Sequence, residues 1–145
     1  MMVQFYKMTG AESDFVMVDN RDFSLSPVLT TENIADVCNR RYGIGAEGLI
    51  AIEPARDGGD VRVLCYAADG SESPVSTDAA LCSTAFADFL LESGMAGLQL
   101  ETPAGLLKGT VNADDSVSVQ LAPSDAPVSG SALIVFRGEV IICED

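Results

Sequence analysis

After Pro74 the apolar residues fall at helical spacing: Cys82, Phe86, Phe89 and Leu90, with Ala79 and Ala85, form one stripe that runs to Gly94, a natural residue for the end of a helix. The other apolar runs are short. Val3–Met8, Asp14–Asp19, Leu49–Glu53, Val61–Tyr66, Leu98–Thr102, Leu106–Val111 and Val117–Leu121 read as strands, with turn signals at Gly10, Asp57-Gly58-Gly59-Asp60, Asp69-Gly70, Pro103-Ala104-Gly105 and Asn112-Ala113-Asp114-Asp115. A second, shorter helix starts at a Thr30 or Thr31 cap, places Ile34, Val37 and Cys38 on one face, and ends near Arg40-Arg41, before the turn Gly43-Ile44-Gly45. Few helices, many strands and a mixed order give an α+β class.

Past the connector 122–130, two more strands are expected around Arg137-Gly138: Ala132–Phe136 and Glu139–Cys143. Both are nearly continuous apolar runs, so at least one is expected inside the sheet, away from an aggregation-prone edge. The expected organisation is one domain over 1–145: a body over 1–121, the connector over 122–130, and closing strands over 131–145.

Eight Lys and Arg against 22 Asp and Glu give a formal charge of −14, which disfavours nucleic acid and anionic membrane as partners. The opening residues lack a basic segment followed by an apolar one, and no apolar run is long enough to span a bilayer, so a cytoplasmic protein is expected. Cys38, Cys65, Cys82 and Cys143 are scattered in apolar stretches and read as buried, reduced thiols. With no histidine in the chain and no paired cysteines, no metal site is expected. The usual neutral-pH general base is missing too.

Phe5-Tyr6-Lys7-Met8-Thr9-Gly10-Ala11-Glu12-Ser13-Asp14-Phe15 resembles the opening F-x-K-M-H-G-x-G-N-D-F of the diaminopimelate epimerases. Gly43-Ile44-Gly45-Ala46-Glu47-Gly48-Leu49 is similar to their G-x-G-x-D-Q-L, and Ala68-Asp69-Gly70-Ser71-Glu72 to the end of N-A-D-G-S-E. Ser76-Thr77-Asp78-Ala79-Ala80-Leu81-Cys82 stands, without a gap, where the family carries C-G-N-G-x-R-C. Ser129–Glu139 resembles the family's closing T-G-P-A-x-x-V-F-x-G-E, although it follows the strand at Val117 almost directly. The resemblance implies a single lobe, a mixed, largely antiparallel sheet or barrel around a central helix, with the second lobe deleted and its flanks rejoined.

What the resemblance implies for chemistry is negative. The family inverts an α-carbon without pyridoxal phosphate, by a thiolate on one face and a thiol on the other, so the resemblance implies no cofactor. Here Ser76 occupies the first cysteine's position, and the second cysteine belongs to the missing lobe. No catalytic residue is therefore assigned. Ser13, Gly48, Ala67, Ser76, Thr77, Asp78 and Ala79 are expected to line a vestigial substrate cleft, where Thr77 and Ala79 replace glycines and Asp78 adds negative charge. From the residues alone, Ser76-Thr77-Asp78 is a plain helix N-terminus. Lys7, Met8, Gly10, Asp14, Phe15, Gly43, Gly45, Asp69, Gly70 and Glu72 persist as turn formers and packing residues. Two functions follow: a catalytically inactive epimerase-like domain that binds, regulates or assembles, or half of a cofactor-independent epimerase or racemase that needs a second chain. Loss of a lobe exposes the face that formed the cleft, so an isologous homodimer through it is expected.

Overall fold

A computed structural model describes residues 1–94, 97–122 and 124–143. β1 (Met2–Gly10) and β2 (Ser13–Asp19) form a hairpin, and a short 3-10 turn at Ser26–Val28 leads to α1 (Thr31–Cys38). Of the two candidate caps, Thr30 takes the position: its hydroxyl accepts the Asn33 N–H at 3.1 Å. β3 (Gly48–Pro54), β4 (Val61–Ala67) and the two-residue β5 (Glu72–Ser73) precede α2 (Thr77–Leu91). β6 (Leu98–Thr102), β7 (Gly105–Val111), β8 (Val117–Gln120), β9 (Val128–Gly130) and β10 (Ala132–Ile141) complete the chain.

The strands form one mixed sheet in the order β10-β1-β2-β3-β4-β6-β7-β8-β9, with β5 attached to β4. Two neighbouring pairs are parallel, β2 with β3 and β4 with β6. Each is bridged by a helix, α1 and α2 respectively, as a parallel crossover requires. The sheet curls into a half-barrel. Its concave side packs on α2 through Phe15, Met17, Ile50, Ile52, Val63, Leu100 and Val119, and its opposite side on α1 through Val16, Val18, Leu49 and Ala51. Alternate residues of β2 and β3 thus enter different cores, which is why both strands are apolar at successive positions. β6, β7 and β8 turn Leu98, Leu100, Leu107, Val117 and Val119 to the α2 core and leave most of the residues between them more open, Glu101 being buried as well.

α2 is buried almost all round from Ala79 to Thr84 and again at Phe86 and Ala87. Small residues on this helix let the sheet come close. A Cβ on Gly109 of β7 would lie 2.2 Å from the Thr84 Oγ1, so only glycine fits at that crossing. Gly109→Ala is expected to cost about 2 kcal/mol in urea unfolding by overpacking, and adding Thr84→Ala should return most of it. A double variant as unstable as the single one would show that the strain lies elsewhere.

Several expectations are corrected. The two C-terminal strands are one: β10 runs straight through Arg137-Gly138, pairs with β1 from Met2↔Ile141 to Gly10↔Ala132, and lies at the sheet edge rather than inside it. Pairing along all of β1 satisfies more of its outer hydrogen-bonding groups than a hairpin folded back on itself. The apolar side chains are consequently open, Leu133 at 61% and Ile141 at 75% exposure. The connector 122–130 supplies a strand, β9, and its Pro123 lies outside the described residues, as do residues 144–145 of the closing segment. α1 ends at Cys38 with no basic residue in its last turn, because Arg40 is drawn to Asp14. α2 ends before Gly94: Glu92 takes the left-handed conformation at φ 51°. Cys38, Cys65 and Cys82 are buried, but Cys143 is exposed beyond the last strand.

A candidate active-site rim

One rim of the half-barrel collects the end of β1, the start of β2, the start of β3, the end of β4 and the first turn of α2. Register explains the gathering: Gly10 pairs with Ser13, Phe15 with Gly48, and Gly48 with Ala67. α2 starts at Ser76, whose hydroxyl accepts the Ala79 N–H at 3.1 Å and whose carbonyl accepts the Ala80 N–H at 2.8 Å. Ser76 is thus a helix cap in the ordinary sense, exposed at the rim.

Of the seven cleft residues expected from the sequence, Ser13 and Asp78 meet directly, the Ser13 hydroxyl donating to the Asp78 carboxylate at 2.8 Å. Gly48 and Ala67 face each other across β3 and β4. Thr77 is half-buried beside Ser76, and Ala79 points into the core beneath. Gly10 closes the floor: a Cβ there would lie 2.6 Å from the Cys82 Sγ and 3.0 Å from the Asp78 carbonyl. A carboxylate and hydroxyls sit where the helix N-terminus would otherwise receive an anion, so the rim is acidic.

Among the described residues, the thiol nearest this floor in the helix is Cys82. Burial pushes it up to about 12, with the Asp78 charge adding to the effect. Burial likewise pushes Cys65 up to about 12 and Cys38 up to about 11. At neutral pH all three stay protonated and closed off, so none is a thiolate base. A cavity of about 480 Å³ opens nearby between Glu72–Val75 and Thr102–Gly105, but it is lined by none of the seven residues.

A second group holds the rim from outside, and reading the sequence alone did not assemble it. Lys7, buried, donates to the Gly45 carbonyl and forms an ion pair with Asp14 at 3.1 Å. Arg40 grips the same carboxylate with two hydrogen bonds of 2.9 and 2.8 Å, and the Glu47 N–H adds a third at 3.1 Å. The Arg40 guanidinium, followed by Lys7 and the Glu47 amide, holds Asp14 well below the usual carboxylate range against the opposing effect of burial. The only sequence hint was the placing of Lys7 and Asp14 either side of one hairpin.

Comparison with known proteins places this architecture. Residues 5–126 match the family model described as diaminopimelate epimerase. The chain belongs to the diaminopimelate epimerase family. It is 35% identical to the diaminopimelate epimerase of Gemmatimonas aurantiaca over 155 residues, covering 99% of this chain and 56% of that relative. It is 33% identical to that of Synechococcus elongatus over 146 residues, covering 100% and 52%. A chloroplastic diaminopimelate epimerase of Oryza sativa subsp. japonica is 35% identical over 82% of the chain. The chain therefore spans about half the length of the curated relatives it matches. Among solved structures, methylitaconate-delta-isomerase shares the fold at a TM-score of 0.75 and 12% identity, covering 98% of this chain and 96% of that one. A hydroxyproline epimerase from Agrobacterium vitis does so at 0.61 and 17%, covering 84% and 42%. No helix among the described residues is long and apolar enough to cross a membrane.

Proposed function

We propose that this chain is an epimerase-like domain that does not invert an α-carbon by itself and acts instead in binding, regulation or assembly. One observation carries the reading: Ser76 caps α2 where the family resemblance puts a cysteine, while Cys38, Cys65 and Cys82 are sealed in the two cores. Cofactor-free inversion needs an acid and a base near neutral pKa on opposite faces of the carbon. An alcohol committed to a cap hydrogen bond is a poor base, and the acidic Asp78 beside it repels a substrate carboxylate. On this reading the second lobe, with the opposing group, has been deleted; the pairing of β10 with β1 supports it, since the strand that resembles the family's last one closes the first lobe.

The partner we propose is a second copy of the chain, in a reducing compartment such as the cytoplasm, where three buried thiols stay free. The test of inactivity is exchange of the α-proton of diaminopimelate in deuterated water, followed by NMR. The purified chain should show no exchange above buffer, and Ser76→Cys should still give no inverted product, because nothing stands on the opposite face to return the proton. Deuterium incorporation lost in Ser76→Ala would overturn the reading.

The half-length match favours one alternative, a half-enzyme completed by another chain that carries the opposing acid or base. It predicts that exchange appears on adding extract from the source cells and depends on Ser76.

A further inference from the structure

One flank of β4 is split. Among the described residues it pairs with β6 only at Val61 and Arg62 and with β5 only at Cys65 and Tyr66, so Val63 and Leu64 have no strand beside them on that side. The cavity of about 480 Å³ opens where β5 and β6 part, between residues 72–75 and the turn 102–105. That volume lies within the range of roughly 300 to 1,000 Å³ that holds small molecules. Both walls are anchored, since Val75 packs on the α2 core and Leu107 is buried in it.

The lining is apolar where it is open: Pro74, Pro103, Ala104 and Leu121 are all exposed. Its polar groups are few. The Thr102 hydroxyl is taken up by its own turn, donating to the Gly105 carbonyl at 2.8 Å and accepting the Ala104 N–H at 3.2 Å. Glu72, exposed, is the one lining residue that ionises, and no lysine or arginine lines the cavity. An apolar cavity with a single charged group fixes both the body and the sign of what suits it.

From this lining we infer that the cavity binds a small organic cation, a hydrocarbon body carrying one ammonium group. The body covers Pro74, Val75, Pro103 and Leu121, and the ammonium meets the Glu72 carboxylate. On a chain of net charge −14, with Glu72 as the only lining charge, a carboxylate or phosphate is repelled, and a neutral molecule leaves Glu72 unused. None of the seven cleft residues lines the cavity, so the site is separate from the rim and does not depend on whether the rim is inert. The two are joined along the chain all the same: Val75 precedes Ser76, the cap of α2, so an occupant holds the segment that sets where the helix starts.

Titration of the full chain with 4-phenylbutylammonium, followed through amide NMR shifts, tests this. Shifts should gather at Val75, Ala104, Gly105 and Leu121, and the anionic and neutral counterparts, 4-phenylbutanoate and 4-phenylbutanol, should bind roughly fivefold more weakly or worse. Glu72→Gln should weaken the cation roughly fivefold and leave the alcohol unchanged, whereas Leu121→Ala should weaken both by roughly threefold or more. Circular dichroism checks that each variant folds. Absence of shifts at these four residues, shifts spread evenly over the acidic surface, equal affinity for the carboxylate, or indifference to both variants would each overturn the proposal.

Discussion

Asp14→Asn should cost about 3 kcal/mol of unfolding free energy at neutral pH, because it leaves Lys7 buried without its counter-charge. The carboxylate is the junction of three donors, Lys7, Arg40 and the Glu47 amide, so its loss also releases the Gly43-Ile44-Gly45 turn that Lys7 holds through the Gly45 carbonyl. The pH dependence has a definite sign. The folded protein holds Asp14 below its ordinary value, so its stabilisation is complete above about pH 4 to 5 and is lost as the pH falls toward the depressed value. Urea unfolding of the two proteins should therefore differ most near pH 7, with a gap that begins to narrow as the pH falls below about 4 and goes on narrowing toward the depressed value. A gap that stays constant down to pH 3 would mean that the carboxylate's charge is not what stabilises. Lys7→Met combined with Asp14→Asn should lose less than Asp14→Asn alone, since no buried cation is then stranded.

Phe86→Ala should be at least as damaging, at about 3 to 5 kcal/mol, corresponding to a fall in Tm of roughly 10 °C or more. Phe86 has no exposed surface and sits on the central helix between Tyr6 and Phe89, with ring centroids at 5.2 and 6.3 Å. Phe86→Leu, which keeps most of the volume, should cost about 1 to 2 kcal/mol. Equal losses for both variants, measured by thermal unfolding, would show that the ring contacts matter more than the cavity.

Local patterns in the chain announced most of the fold. The helix over Thr77–Leu91, the Thr30 and Ser76 caps and the strands through Val117 were readable because each depends on neighbours in sequence: a hydroxyl three residues before an N–H, or alternation along a few residues. Arg40 was assigned to a helix end by the same local logic, and there it failed. Its partner Asp14 lies 26 residues away, and a guanidinium-carboxylate pair with two hydrogen bonds outweighs a dipole contribution of a few tenths of a kcal/mol. β10 failed for a related reason. Arg137-Gly138 has the composition of a turn, but whether the chain turns there depends on whether a strand as long as β1 is waiting to pair with all of it. At the rim, the motifs singled out Ser13 and Asp78, which meet, and Gly48 and Ala67, which face each other across β3 and β4. They did not disclose that Asp78 is held by Ser13, or that Ala79 belongs to the core rather than to the surface.

One arrangement in the sheet bears on how the domain can move. β9 and β10 occupy its two opposite margins, yet only Ser131 separates them in the chain, and the Ser131 carbonyl is tied to the Ala11 N–H. The seam is thus latched at one end by a covalent link one residue long. Neither margin can fray on its own there; any breathing that bares α2 must begin at the far end and work toward the latch, so the part of the molecule nearest Ser13, Asp78 and Ser76 is the last to loosen.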